Sequence, residues 1–183
     1  MTNYAEKTVI MDGKTVNRAI SRIAYEITER NKGTEDIVVI GIQTKGVSLA
    51  KLLIKKIEEI EGKKLTLGSL DITFYRDDLT RLSAHPVVAG SDIAFSIENK
   101  KIILVDDVLY SGRTIRAAME ELFDMGRPEK IELAVLVDRG GRELPIRADY
   151  IGRDVPTSKD EYINVVVSND IIEKVSICSK EVR

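Results

Sequence analysis

Hydrophobic and polar positions change period several times along the chain, and each change predicts an element. Over residues 14–30 the apolar positions Val16, Ile20, Ile23 and Ile27 share one face, opposite Arg18, Arg22, Tyr25 and Glu29. That spacing predicts an amphipathic helix, and Asn31, Lys32 and Gly33 supply its stop. Residues 37–42 are apolar throughout, as in a strand buried on both faces. A turn, Gly41-Ile-Gln-Thr-Lys-Gly46, then leads into a second helix with Val47, Ala50, Leu53, Ile54 and Ile57 inward. Residues 65–75 alternate through Leu65, Leu67, Leu70, Ile72 and Phe74 and predict a strand. Residues 76–90 lose all period, giving a charged loop of about fifteen residues, a length more typical of functional lids than of connectors. A strand is expected at 93–97, and the apolar run 102–105 is a central strand that turns after Val105. A helix over about 114–124, a buried strand over 131–137 and strands over 162–167 and 175–178 follow. Residues 138–160, rich in Gly, Pro and Arg, show little period.

Strands alternating with helices predict an α/β fold with a largely parallel central sheet flanked by helices. With neither internal repeat nor linker, residues 1–183 are expected to form a single domain. In open sheets of this kind ligands sit beyond the carboxyl ends of the strands. The polar turns after Ile42, Val105 and Val137 are therefore expected to line one crevice.

Composition narrows the chemistry. Aromatic residues are 5% of the chain, with no Trp, so stacking of bases on aromatic platforms is not an obvious theme. The net charge is -2, which excludes nucleic-acid binding through bulk positive charge and leaves room only for a local basic patch. One cysteine, Cys178, and one histidine, His85, exclude a disulfide framework and any metal site built on His and Cys. A metal would be a hard cation held by oxygens, mainly those of a ligand. The first residues, Met-Thr-Asn-Tyr-Ala-Glu-Lys, do not read as a signal peptide, and no apolar run is long enough to span a bilayer. A cytoplasmic location and no membrane partner are expected.

The chemistry concentrates in residues 105–114, Val-Asp-Asp-Val-Leu-Tyr-Ser-Gly-Arg-Thr. A buried strand delivers two carboxylates, Asp106 and Asp107, and a turn ending in Ser111, Gly112, Arg113 and Thr114 opens a helix. Helix starts attract anions because their first N–H groups are unpaired and the dipole is positive there. Acids beside an anion cradle suit a ligand with both hydroxyls and a phosphate, such as a phosphorylated sugar. The acid pair alone also fits a P-loop ATPase or a receiver-like domain. The first lacks its G-x-x-x-x-G-K-[ST] here, and the second has no need of the Ser-Gly-Arg-Thr turn.

The whole stretch resembles the phosphoribosyl-pyrophosphate (PRPP) motif of type I phosphoribosyltransferases, whose fold adds a small hood and a flexible lid loop. The resemblance implies that Asp106 and Asp107 accept hydrogen bonds from the ribose hydroxyls and favour the oxocarbenium-like sugar formed as pyrophosphate leaves. It implies that residues 108–114 (Val108, Leu109, Tyr110, Ser111, Gly112, Arg113, Thr114) surround the sugar phosphate, with the last four holding the 5′-phosphate. Thr44 and Lys45 of the 41–46 turn would hold pyrophosphate, with Mg2+ bound mainly through pyrophosphate oxygens. The lid would bring in Arg76, with Arg81 a second candidate, and His85 is expected to be an exposed loop residue.

Further stretches, Ile27-Thr-Glu-Arg-Asn-Lys-Gly33, Asp71-Ile-Thr-Phe-Tyr-Arg-Asp-Asp-Leu79, Gly126-Arg-Pro128 and Leu136-Val-Asp-Arg-Gly-Gly-Arg-Glu-Leu-Pro-Ile-Arg-Ala-Asp-Tyr-Ile-Gly152, resemble one family across nearly the whole chain. It is the bacterial pyrimidine operon attenuation regulators, PyrR. Members bind the leader RNA of pyrimidine messages when uridine nucleotides are plentiful, and usually convert uracil and PRPP to UMP. By that resemblance uracil would sit near Val137, Asp138 and Arg139. UMP or UTP would act as co-regulator, and the assembly would be a homodimer or larger. RNA would meet Arg18, Ser21, Arg22, Tyr25, Arg30, Arg142, Arg147 and Arg153. Charge agrees in part: residues 14–32 carry five Lys or Arg against Glu26 and Glu29, and residues 139–159 carry five more. Arginine can both bridge phosphates and stack on unpaired bases. Gly141 stands where members of the family often carry His, and Tyr25 where some relatives are expected to carry it, both on the RNA side of the resemblance. The alternative expectation is a salvage nucleobase phosphoribosyltransferase with no RNA role.

Overall fold

The run of six apolar residues at 37–42 forms a strand at the heart of a parallel sheet, and the rest of the chain is laid around it. In the computed structural model, residues 4–73 and 90–180 are described. The predicted lid with Phe74, Arg76, Arg81 and His85 lies outside them. In chain order the elements are β1 (Tyr4–Asp12), α1 (Gly13–Asn31), β2 (Ile37–Ile42), α2 (Lys45–Glu61), β3 (Thr66–Leu70) and β4 (Lys101–Leu109). They continue with α3 (Arg113–Met125), β5 (Lys130–Asp138), β6 (Tyr150–Asp154), β7 (Glu161–Ser168) and β8 (Ile171–Lys180). Five strands pair in the order β3-β2-β4-β5-β6, all parallel. A small antiparallel sheet, β1-β8-β7, stands beside them.

Alternation along the central strands feeds two cores. Val39, Ile103, Val105 and Leu136 face α1 and α2, meeting Ile20, Ile23, Ile27, Leu49, Leu53 and Ile57. Ile40, Leu104 and Val135 face the other way, onto Ile115, Ala118 and Leu122 of α3. Each such buried aliphatic side chain contributes on the order of 1.5–3 kcal/mol, so β2 and β4, covered on both faces, are the most firmly held backbone. Helix α1 begins where the Asp12 carboxylate accepts from Thr15 N at 2.8 Å. It ends as expected, with Lys32 in the left-handed region and Gly33 N bonded back to Thr28 O.

Four expectations need correction. The central strand does not turn after Val105. Asp106, Val108 and Leu109 stay in register with Val135, Val137 and Asp138 of β5, so the acids lie within β4. No strand forms over 93–97; β3 is bridged just before that segment by the Ser69–Asp92 pair, and the side chains of Ile93 and Phe95 lie over Gly68. β3 is shorter than the alternation suggested, because after Leu70 the Asp71 carboxylate turns the chain by accepting from Thr73 N and Gly90 N. Finally, the aperiodic 138–160 region contains β6, and the first residues form β1, whose Met11 enters the core.

Candidate active site

The carboxyl ends of β2, β4 and β5 are neighbours, so the turns that follow them converge. Gly41 of β2 is level with Val105 of β4, and α2 leaves its turn directly across the strand end. That approach requires glycine. A β-carbon at 46 would lie 2.5 Å from the Val105 carbonyl oxygen, and one at 41 would lie 2.6 Å from Val47 Cα. With both side chains absent, Thr44 and Lys45 are brought beside the acid pair, after a cis Gln43–Thr44 peptide. Lys45 Nζ stands 3.8 Å from Asp107 Oδ2. The pair is partly exposed, worth at most about 1 kcal/mol, and so is readily exchanged for another anion.

The two carboxylates differ. Asp106 is buried and accepts the Asp107 backbone N–H at 2.9 Å. Burial first, and then the neighbouring Asp107 charge, raise its pKa well above the usual carboxylate range. Asp107 is half-buried and faces Lys45. Burial thus biases Asp106 toward its neutral form. The raised pKa means the folded chain binds a proton that the unfolded chain has released. Asp106 then adds stability at low pH, and that contribution is lost as pH climbs from the ordinary carboxylate range through the raised value. Asp106→Asn is expected to remove this loss, raising the thermal midpoint relative to the parent more at pH 8 than at pH 4. A midpoint difference independent of pH would contradict it.

Beyond β4, Tyr110 and Ser111 lead to Gly112, which takes φ 91° at the start of α3. Ser111 Oγ accepts from Arg113 N at 3.3 Å, Gly112 is buried, and Arg113 and Thr114 are exposed on the first turn. No acidic residue lies in that turn, leaving the positive end of the helix open to an anion. Among the substrate residues expected from sequence, Leu109 and Val137 have their side chains in the two cores, so only their backbones can face a ligand. Val108 is packed on the first core. Asp138 ends β5, where its carboxylate receives Gly140 N and the Arg142 guanidinium.

Arg139 is buried, with its guanidinium 3.9 Å from the Tyr110 ring centre and a hydrogen bond to Ser158 O. Arg139 Nε and Thr157 Oγ1 are buried without a hydrogen-bond partner among the described residues. Thr157 N bonds Arg139 O, so the two lie together beside the end of β5. Sequence reasoning missed Thr157 because it falls in the aperiodic region and meets Arg139 only through the fold. Gly141 has φ 77°, and a β-carbon there would run into the Tyr110 ring. The ring occupies the room that a larger residue at 141 would need.

The expected RNA residues divide into two sets. Arg18, Arg22 and Tyr25 lie along the exposed side of α1, with Ser21 half-buried beside them and β6 as the adjacent strand. Arg22 donates to Ile151 O and Gly152 O, covering carbonyls of the edge strand. Arg153 donates to Ile10 O. Arg30 is held by Asp149 at 3.2 Å, by buried Glu132 at 3.4 Å and over the Tyr150 ring. Arg142 is not on that open face: it donates to Tyr110 O at 2.7 Å, to Ile146 O at 2.9 Å and to Asp138. Arg147 is exposed, and no hydrogen bond or ion pair engages it among the described residues. Among those residues no cluster of three or more His, Cys, Asp or Glu could hold a metal, and no helix is long and apolar enough to cross a membrane.

Comparison with known proteins agrees with this geometry. Residues 8–171 match the family model of the phosphoribosyl transferase domain. The chain is 61% identical over 158 residues to the bifunctional protein PyrR of Caldicellulosiruptor bescii, covering 86% of this chain and 87% of the relative. It is 56% identical over 178 residues to the bifunctional protein PyrR of Bacillus mycoides, covering 96% and 99%. In fold it is similar to a hypoxanthine-guanine phosphoribosyltransferase from Bacillus anthracis, with TM-score 0.72, 21% identity and coverage of 97% and 100%. A hypoxanthine phosphoribosyltransferase from Trypanosoma cruzi gives TM-score 0.74 at 18% identity, covering 94% and 95%. An acid pair within β4, set between the 41–46 turn and the turn that opens α3, sits in a type I phosphoribosyltransferase fold, and the chain belongs to the phosphoribosyl transferase family and, within it, to the bifunctional PyrR proteins.

Proposed function

We propose that the protein transfers phosphoribose from PRPP to uracil, and that the resulting UMP, or UTP, governs its binding to pyrimidine leader RNA. The observation that carries the enzymatic half is the acid pair of β4, set between Lys45 and the 111–114 turn. Ser111, Gly112, Arg113 and Thr114 hold the 5′-phosphate through backbone N–H groups, hydroxyls and the open helix end. Asp106 and Asp107 accept the ribose hydroxyls. As the bond from C1′ to pyrophosphate breaks, the bonding pair leaves with pyrophosphate, and the Asp107 charge stabilises the cationic sugar. Lys45 exchanges its partner, releasing Asp107 for the sugar and taking the leaving group with Thr44; Arg76 joins it from the lid. Uracil N1 then bonds C1′, and its proton passes to water or to an oxygen of the departing pyrophosphate.

The site contains carboxylate and hydroxyl oxygens but no protein cluster for a metal among the described residues, which suits a Mg2+ held mostly by PRPP. Bound there, Mg2+ would neutralise the pyrophosphate. The end of β5 suits the base: Arg139 Nε and Thr157 Oγ1 are donors that a uracil carbonyl would satisfy. Thr157→Val is therefore expected to raise the KM for uracil about tenfold with little change in the KM for PRPP. Equal effects on both would remove Thr157 from the base site.

The regulatory half is supported by the line of Arg18, Arg22 and Tyr25 on α1, next to Arg153 of β6, and by the exposed Arg147. A homodimer or larger assembly would enlarge this face. Arg22, Arg30 and Arg153 also hold β6, so their variants would confuse structure with binding. Arg147 is the cleaner probe. Arg147→Ala is expected to weaken UMP-dependent binding of a pyrimidine leader hairpin about tenfold and to lower the salt slope by about one contact. The deciding experiment runs uracil-plus-PRPP turnover beside RNA binding with and without UMP at fixed salt. Turnover with equal RNA affinity in both conditions would leave a salvage enzyme and end the regulatory reading.

A further inference from the structure

The 110–113 turn is fastened to the segment after β5 more extensively than a phosphate cradle requires. Glu143 N and Leu144 N both donate to Ser111 O, at 3.0 and 3.2 Å. Arg142 spans Tyr110 O and the Asp138 carboxylate, and Ile146 lies against Gly112. The last tie is a charge: Arg113 Nε donates to Glu143 Oε2 at 2.6 Å, with both side chains half exposed. A carboxylate thus stands on the arginine at the mouth of the helix end where an anion is best received.

We infer that Glu143 and the nucleotide's 5′-phosphate compete for Arg113, and that displacing Glu143 resets the segment carrying Arg142 and Arg147. The inference rests on reading residues 111–114 as the phosphate cradle. Exposed ion pairs are weak. A phosphate carries more charge and can also draw on the N–H groups of the α3 start, so it wins that competition. The turn and the segment move together, because the N–H groups of Glu143 and Leu144 are bonded to Ser111 O and Arg142 ties the same turn to β5, so a turn that draws in around a phosphate carries the segment with it. The segment runs on without a break to Arg147. Two arrangements, one with Glu143 on Arg113 and one with phosphate there, give the nucleotide the differential contact that a regulatory ligand needs. By linkage, whatever the phosphate gains from the second arrangement is returned as tighter RNA binding.

The test compares the full-length chain with Glu143→Gln and Glu143→Asp, using UMP and phosphate-free uridine as calorimetric probes and a pyrimidine leader hairpin at fixed salt. Glu143→Gln should bind UMP about three- to tenfold more tightly, since the competing charge is gone, and bind uridine as the parent does. Its KM for PRPP should fall without a matching change in kcat. Its RNA affinity without UMP should approach the parent's with UMP, and Glu143→Asp should restore the dependence. Unchanged or weaker UMP binding in Glu143→Gln overturns the inference, as does an equal shift for uridine, which would report altered packing. A parent ratio of RNA affinities with and without UMP that survives in Glu143→Gln overturns the role of Glu143 while leaving the proposed function standing. A parent that binds no UMP overturns both.

Discussion

Replacing Asp107 by Asn is expected to lower uracil-plus-PRPP turnover by about 10²–10³ while moving the thermal midpoint by no more than about 2 °C. Asparagine keeps the shape of the side chain and removes its charge. The lost charge is half-buried beside Lys45 and, on the proposed mechanism, faces the sugar as it becomes cationic, so its absence should be felt in the transition state rather than in the folded chain. The loss should fall on kcat. Lys45, relieved of its 3.8 Å partner, remains fully available to pyrophosphate, and the KM for PRPP should hold or fall. Asp106→Asn should behave differently. The Asp106 carboxyl is pushed toward its neutral form by burial, and an amide imitates that form, so turnover should drop only about tenfold. Steady-state kinetics of the two variants at pH 7.5 separates the roles. Equal losses, or unchanged turnover in Asp107→Asn, would remove Asp107 as the charged partner of the sugar.

This division of labour was only half legible in the sequence. The motif names both acids and the turn that follows them, because the order strand, acids, Ser-Gly-Arg-Thr, helix is local. It does not say which acid is buried. That follows from β4 continuing through Asp106 to Leu109 against β5, a pairing made with residues far along the chain. Polar residues ordinarily end strands, and here a central position in the sheet overrides that tendency. β2 and α1 were legible for the opposite reason. A fully apolar run and a three-and-four spacing state burial directly, and Asn31, Lys32 and Gly33 state where the helix ends. β6 escaped detection because an edge strand of five residues amid Arg, Gly and Pro has too few positions to show a period.

The arginines make the same point for the site. Charge runs place ten basic residues in two segments, and the family resemblance sets Arg139 by the base and Arg18, Arg22, Arg30, Arg142, Arg147 and Arg153 together on the RNA side. The fold turns Arg139 and Arg142 inward, onto Ser158 O and Tyr110 O beside the end of β5, and gives Arg22, Arg30 and Arg153 to the support of β6 or β1. It leaves Arg147 in solvent. Sequence spacing cannot make that distinction, since each partner is a backbone carbonyl or a carboxylate brought in from elsewhere. Glu143, unremarkable in the sequence, is brought onto Arg113 in the same way.

Gly46→Ala is the second large effect expected, and it tests whether the leaving-group turn works through its register against β4. The added carbon would stand 2.5 Å from Val105 O and 3.2 Å from Asp106 Cα, both backbone atoms of the most firmly held strand. β4 cannot yield, so the start of α2 must move out. Overpacking of this kind costs about 2–3 kcal/mol, or about 5–10 °C in thermal midpoint for a chain of this size. The catalytic cost should be larger than the loss of stability suggests. A shift near 1 Å at Thr44 and Lys45 misplaces the group that receives pyrophosphate, and displacements of that size cost about 10²-fold. Gly68→Ala is the control, since the nearest atoms to its β-carbon would be side-chain rather than backbone, Ile93 Cγ1 at 3.1 Å, Phe95 Cζ at 3.2 Å and Ile40 Cγ1 at an ordinary 3.4 Å. Those can turn aside, so a loss of about 1 kcal/mol with turnover retained is expected. Gly41→Ala, which would press on Val47 Cα, should resemble Gly46→Ala, and the double variant should lose less than the sum because both relieve strain by the same movement of α2. Full turnover in folded Gly46→Ala would mean that pyrophosphate does not depend on the position of Thr44 and Lys45, and would take the leaving-group role from that turn.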